Sequence, residues 1–263
     1  MSIIDKVKQI KNRRIPKNLT VKAAINLTPN MRRVTLAGDD LANFSEQSEG
    51  AYIKLMFEQA GQKKPVMRTY TIAGQRSAQN EIDVDFMLHN DHEGTANGIA
   101  APWSMEAKAG DTISIFGPGP AKFINLDADY FVLAADMTAL PALTANLKLL
   151  PDDAKGQAFI EILSEADKQD LQKPEQVEIV WVINADAGSD ESPLFHAIEQ
   201  AQWDAKQPAA WVACEFKTMK KIRQHLKTER GIEKSHLYIS SYWKKGDSED
   251  AHKLAKQADA ESH

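Results

Sequence analysis

Asp136, Met137 and Thr138 stand where an apolar run, Tyr130–Ala135, gives way to helical spacing. The carboxyl end of a buried parallel strand is the usual ligand position in α/β sheets, which makes Asp136 and Thr138 candidate binding residues. An aspartate at that point is equally suited to capping the helix that follows. Arg68 and Tyr70 lie two apart in the strand-like stretch Arg68-Thr69-Tyr70-Thr71 and therefore share a face. The stretch Glu93-Gly94-Thr95-Ala96-Asn97 is built largely of small residues. Such residues let backbone N–H groups approach a phosphate closely; a surface turn is the alternative. Asp85 and His89 share the polar face of an alternating segment, suited to a ligand or to solvent. His89 and His92 have no cysteine partner nearby, and no protein metal site is expected.

Other chemistry is missing. The chain has no G-x-G-x-x-G, no G-x-x-x-x-G-K-[ST] and no G-x-S-x-G. With no built-in nucleophile in evidence, reactivity falls to a bound cofactor.

The elements that must position these residues change character near residue 124. Before it, residues 20–27, 32–37, 51–57, 67–73, 81–89 and 111–116 read as short strands separated by turn clusters. In the fifth, Ile82, Val84, Phe86 and Leu88 share one face and Asp83, Asp85, Met87 and His89 the other. Six such strands suggest a small closed antiparallel barrel. After residue 125, strand-like segments at 130–135, 159–163, 177–183, 209–213 and 237–240 alternate with helical ones at 138–150, 193–203 and 216–230. That alternation predicts a parallel sheet with helices on both faces. The expected domains are 1–124, 125–246 and a charged helix or tail at 247–263.

Composition narrows the classes. Of 263 residues, 43% are hydrophobic and 26% charged, as in a globular chain. The net charge of −5 argues against general nucleic-acid binding. No apolar run approaches the ~20 residues of a membrane span, so no stable membrane association is expected. The opening MSIIDKVKQIKNRR has no apolar core of a secretory signal, and a single cysteine, Cys214, forms no intrachain disulfide. A cytoplasmic location is the expectation.

Arg68-Thr69-Tyr70-Thr71 resembles the R-x-Y-[ST] flavin signature of the ferredoxin-reductase-like superfamily. Its neighbours sharpen the match. TPNMRRVTL, YIKLMF, MRTYTIA, DVDFMLHNDHEGTANGIAAPW, GDTISIFGPGP, LAADMTALPAL, WVACE and SYWKKG occur in the order seen in siderophore-interacting proteins. The chain thus resembles the flavin-dependent ferric-siderophore reductases of that family. The resemblance implies an FAD-binding barrel followed by an α/β domain of the nicotinamide-nucleotide-binding type.

It also implies roles. Arg68 would hold the FAD pyrophosphate or flavin edge, with Thr69 beside it, and Tyr70 would pack on the isoalloxazine. Thr71 would meet the redox-active flavin edge, and Thr138 would contact flavin or nicotinamide. Gly94, Thr95 and Ala96 would bind the pyrophosphate, while Asp85, His89 and Asp136 would complete the cofactor surroundings. Lys54, Lys122, Trp243 and Lys244 would form a basic substrate pocket for a ferric siderophore; scattered solvent lysines are the alternative. Electrons would come from NADH, NADPH or a reduced ferredoxin, the last a possible protein partner. A generic FAD-dependent NAD(P)H oxidoreductase and a non-redox iron-chelate carrier are the competing readings.

Four departures from the family pattern stand out. Ala73 replaces a usual Arg, Met137 a usual Glu, and Gly119-Pro120 an Arg-Gly pair. Ser241-Tyr242-Trp243-Lys244 replaces Gly-Tyr-Trp-Arg. The flavin signature is intact at its core positions, so the expected change lies in donor and substrate handling.

Overall fold

A computed structural model describes residues 15–59, 61, 64–88 and 98–261. Its contacts divide the chain between Lys122 and Phe123 into two compact units.

The first unit is a closed barrel. Its strands are β1 (Lys17–Thr28), β2 (Met31–Ala37), β3 (Tyr52–Phe57), β4 (Val66–Arg76), β5 (Glu81–Met87) and β6 (Thr112–Phe116). They run in the order β1-β2-β5-β4-β3-β6, and β6 closes on β1. Alternation decides which side chains go inside. Leu19, Val21, Val34, Leu36, Ile53, Leu55, Ile72, Ile82, Val84, Phe86 and Ile115 fill the interior almost without exposure. Each such side chain contributes about 1.5–3 kcal/mol by leaving water. The sequence suggests few helices in this unit and locates none; α1 (Ala100–Glu106) precedes β6. Its Trp103 packs against Phe57 and Phe86, with ring centroids 5.7 Å away in both cases.

The polar face of β5 is not simply solvated. Asp83 is 5% exposed. It accepts hydrogen bonds from Arg76 at 2.7 and 2.8 Å and from the Thr35 hydroxyl at 2.7 Å. Arg76 also reaches Glu81 at 2.9 Å, and Arg33 grips Asp85 with two bonds of 2.7 and 2.8 Å. These charge-assisted forks tie β2, β4 and β5 together.

The run after β6 explains one departure. A Cβ at Gly119 would lie 2.0 Å from the Tyr52 ring, whose backbone carbonyl also accepts the Gly119 N–H at 2.7 Å. An arginine could stand there only if that ring swung away.

The second unit is a parallel sheet of β7 (Tyr130–Ala135), β8 (Gly156–Ile162), β9 (Val177–Ile183), β10 (Pro208–Glu215) and β11 (Leu237–Trp243). The order is β11-β10-β7-β8-β9, so the chain reverses its direction of travel beside β7. The helices are α2 (Leu140–Leu147), α3 (Pro193–Gln200) and α4 (Phe216–Gln224), with one wider turn through Glu229. Val132, Ala134, Phe159, Ala210 and Val212 of the sheet pack with Leu194, Ile198, Met219 and Ile222 of the helices. Near the amino ends of the strands, Trp203 stacks on Tyr130 and lies 3.7 Å under the Arg230 guanidinium, a cation–π contact.

The segment expected to be a charged helix or tail is α5 (Glu249–Glu261), and it is docked. His252 meets the Ser241 hydroxyl at 2.8 Å, Lys256 donates to Ser240 at 2.6 Å, and Arg223 forks onto Asp259 at 2.5 and 2.7 Å.

Truncating Asp83 tests the barrel network. Burial alone would raise its pKa, but hydrogen bonds from Arg76 and Thr35 hold it below the usual carboxylate value. Asp83→Ala leaves Arg76 without its main partner and is expected to destabilise the barrel by roughly 3 kcal/mol, read by urea denaturation. A loss below about 1 kcal/mol would show that solvent replaces the network at no cost.

Candidate functional site

On the barrel, β4 presents the flavin-like signature beside β3. Lys54 stands opposite Thr69, Tyr52 opposite Thr71, and Ile53 opposite Tyr70. Directly opposite residues share a face, which groups Lys54 with the exposed Thr69 and with the nearly buried Thr71. Arg68 and Tyr70 take the other face. Tyr70 is half-buried, and its ring lies 4.4 Å from that of Phe86. Phe86 anchors it because it is wholly buried in the barrel core.

The arginines of this unit are not equivalent. Arg33 and Arg76 are committed to Asp85, Asp83 and Glu81. Arg68 donates to the carbonyl of neighbouring Met67 at 2.9 Å, and among the described residues no carboxylate pairs with it. A guanidinium not consumed by an acid, on the same strand face as a half-buried aromatic ring, fits a planar aromatic ligand that carries phosphate.

Asp85 was expected to line the flavin; its charge is already met by Arg33, because two parallel N–H bonds hold it against β2. His89, Gly94, Thr95 and Ala96, with His92, lie outside the described residues. Lys122 is exposed at the end of the barrel unit.

In the α/β unit, Asp136 follows β7 and is 3% exposed. Its carboxylate accepts the Thr138 N–H at 3.0 Å, the Thr138 hydroxyl at 2.5 Å and the Trp243 indole N–H at 2.7 Å. Asp136 therefore ties the turn that leads into α2; the N-cap of that helix is Ala139, and no side chain caps it. Trp243, expected at a substrate, gives its indole N–H to Asp136. The Lys244 ammonium pairs with Asp247 at 2.7 Å and sits 5.7 Å over the Phe216 ring.

Sequence reasoning gave no role to two further carboxylates at this edge. Glu215 ends β10, is 3% exposed, and caps α4. It accepts the N–H groups of Lys217 and Thr218 at 2.5 and 3.1 Å, and that of Lys245 at 3.3 Å. Glu161, in β8, accepts from the Asn184 side chain and from the Leu194 N–H at the start of α3. The available signals were a single acid inside the apolar run FIEIL and an acid between WVAC and a helix. Burial raises the Asp136 pKa against its hydrogen bonds. Glu161 is pushed up to about 7 by burial, then by the negative charges of Asp136 and Glu215. The Cys214 thiol is held well above its ordinary range by burial and by these same acids, which suits packing rather than nucleophilic chemistry.

A family model described as siderophore-interacting FAD-binding domain matches residues 20–66 and 58–122, and one described as siderophore-interacting protein matches 128–246. The ferric vibriobactin reductase ViuB of Vibrio cholerae is 34% identical over 245 residues, covering 86% of this chain and 88% of its own. The ferric acinetobactin reductase of Acinetobacter baumannii is 27% identical over 201 residues, covering 76% and 68%. Among solved structures, the siderophore-interacting protein SipS from Aeromonas hydrophila superposes with a TM-score of 0.81 at 31% identity, covering 94% of this chain and 98% of its own. A ferredoxin NADP+ reductase from Neisseria gonorrhoeae, with FAD and NADP bound, gives a TM-score of 0.59 at 14% identity, covering 80% and 90%. That last likeness is one of fold.

Glu161 makes the acid edge testable by pH. Its folded pKa of about 7 lies above the ordinary 4.5 of an exposed glutamate. The folded unit therefore keeps a proton that the unfolded chain releases between these values. Stability falls as pH rises through that window and levels off above it, by roughly 3 kcal/mol from this group. Glu161→Gln is expected to stabilise the α/β unit at pH 8 and to flatten its stability curve between pH 5 and pH 8. Parallel curves for the two proteins would show that Glu161 does not titrate there.

Proposed function

This chain belongs to the siderophore-interacting protein family, and on that premise we propose that it reduces ferric siderophores through FAD held on the barrel. The observation that carries this reading is the Arg68 guanidinium, paired with no carboxylate among the described residues, on the same face of β4 as half-buried Tyr70, within a segment matched by an FAD-binding domain.

Arg68 binds phosphate through charge-assisted hydrogen bonds. Tyr70, braced by Phe86, supplies a flat apolar wall. Thr71 follows Tyr70 on β4 and, with Thr69 and with Lys54 of the neighbouring β3, offers polar groups on the opposite face of the same strand pair. When bound, FAD accepts electrons singly or in pairs and so links a donor to a one-electron ferric acceptor. Ferrous iron binds the hard oxygen ligands of a siderophore less tightly, and the metal leaves. The iron is substrate and arrives with its chelator. A reduced nicotinamide or a reduced ferredoxin supplies the electrons. No helix among the described residues is long and apolar enough to cross a membrane; we place the reaction in the cytoplasm.

Purified protein is expected to be yellow and to reduce an anionic ferric siderophore when its flavin is reduced. Protein that neither retains nor takes up FAD overturns the reading, and flavoprotein inert toward every ferric chelate leaves a generic flavin oxidoreductase. Arg68→Ala is expected to weaken FAD binding by about 2 kcal/mol, roughly thirtyfold, in a fluorescence titration of apoprotein. Unchanged affinity would remove Arg68 from the site.

The lysines are expected to act on substrate alone. Lys54→Ala should raise KM for an anionic ferric siderophore, most strongly at low salt, because such attraction is screened over ~8 Å at physiological ionic strength. Lys244→Ala should do less, since Asp247 already offsets that charge. Flavin content should not change. A KM for Lys54→Ala equal to wild type at every salt concentration would make it an ordinary surface lysine.

A further inference from the structure

An open α/β sheet usually takes a dinucleotide in the crevice where its strand order reverses, with the pyrophosphate on the first N–H groups of the helices there. In this unit that place lies between the carboxyl ends of β7 and β10. The chain fills it with its own acids. Asp136 occupies the turn into α2, and Glu215 takes the first N–H groups of α4. One strand further, Glu161 takes the Leu194 N–H of α3. The three do not gather as a metal site; among the described residues no group of three or more His, Cys, Asp or Glu side chains is placed to hold an ion. Each acid meets backbone or side-chain donors instead.

The space above the acids is also taken. The Trp243 indole bonds down onto Asp136. Gly188, at φ +70, lets its loop close over this edge: a Cβ there would lie 2.9 Å from Trp243 and 3.1 Å from Glu215. Cations around the edge are pinned by local acceptors. Lys217 pairs with Asp190, Lys245 with Asp186 and Lys244 with Asp247, while Lys221 bonds the Asp190 carbonyl and the Ser192 hydroxyl.

We propose that Asp136 and Glu215 are specificity-determining residues that exclude a dinucleotide pyrophosphate from the switch point of the α/β unit. They occupy the donors a phosphate would need, and their buried charge opposes a second anion. A nicotinamide dinucleotide then reduces the flavin by weak, non-saturating encounters, whereas a donor that needs no pyrophosphate seat is unaffected. This rests on the reading that an external donor reduces bound FAD.

The experiment separates the two. Holoprotein is titrated calorimetrically with ADP-ribose, which carries the pyrophosphate but no nicotinamide. Wild type is expected to show no saturation below millimolar concentrations. The Asp136→Asn, Glu215→Ser double variant, which frees the Lys217 and Thr218 N–H groups, should bind at least tenfold more tightly. If that variant does not fold, Glu215→Gln, which keeps the side-chain shape, should still bind several-fold more tightly. Micromolar binding by wild type, or folded variants with no gain, overturns the proposal. Transfer from dithionite-reduced holoprotein to a ferric siderophore is measured in parallel. Its failure would sink the reductase reading and leave the ADP-ribose result to stand alone.

Discussion

A carboxylate removed from water must find its donors inside the protein, or it costs several kcal/mol. Both units of this chain bury carboxylates, and the donors they recruit decide what is left for a ligand. In the barrel, Asp83 and Asp85 recruit guanidinium forks from Arg76 and Arg33. In the α/β unit, Asp136, Glu161 and Glu215 recruit backbone N–H groups at the sheet's carboxyl edge. The first choice uses two arginines and spares Arg68. The second uses the backbone donors of the turns and helices that would otherwise favour anions.

The barrel's solution also fixes its signature strand. Arg76 ends β4 and is tied to β5 through Asp83 and Glu81, while β5 is tied to β2 through Arg33. Tyr70 sits six residues before Arg76 on that clamped strand, and its ring is braced by Phe86 of β5. The network therefore positions Tyr70 without contacting it. Side chains held on rigid strands in this way lose little freedom on binding, which is the physical content of preorganisation.

Much of this was legible in the sequence, for reasons that differ by element. Strict alternation in β5 separates Ile82, Val84 and Phe86 from Asp83 and Asp85, and the barrel follows from six such strands. The continuous apolar runs of β7 and β10 announce a buried parallel sheet. Helix α1 was not legible, because its seven residues carry a proline and no cap. Side-chain pairing was the larger gap. Spacing places Asp85 on the outer face of β5, but Arg33 stands 52 residues earlier in the chain, and only the β2–β5 register brings them together. Trp243 and Asp136 are 107 residues apart, so the part-buried hydrogen bond between them could not be read from spacing.

The likeness to nicotinamide-dependent reductases is one of backbone. A sheet with the same switch point offers a place for a dinucleotide, but the fold does not furnish the chemistry that binds one. That chemistry belongs to a few atoms at the strand ends. Where a Gly-rich turn would leave backbone N–H groups open, this chain has Asp136-Met137-Thr138, and the Asp136 carboxylate turns back onto the Thr138 N–H. Where a helix would begin uncapped, Glu215 is already bound. Met137, standing in place of the family's usual acid, is 1% exposed. A charged side chain there would be buried beside Asp136 and would need donors that the Thr138 hydroxyl and the Trp243 indole already give away. Met137 thus departs from the family pattern at a buried position beside an Asp136 that the pattern keeps, and it leaves the sheet edge one carboxylate fewer to satisfy.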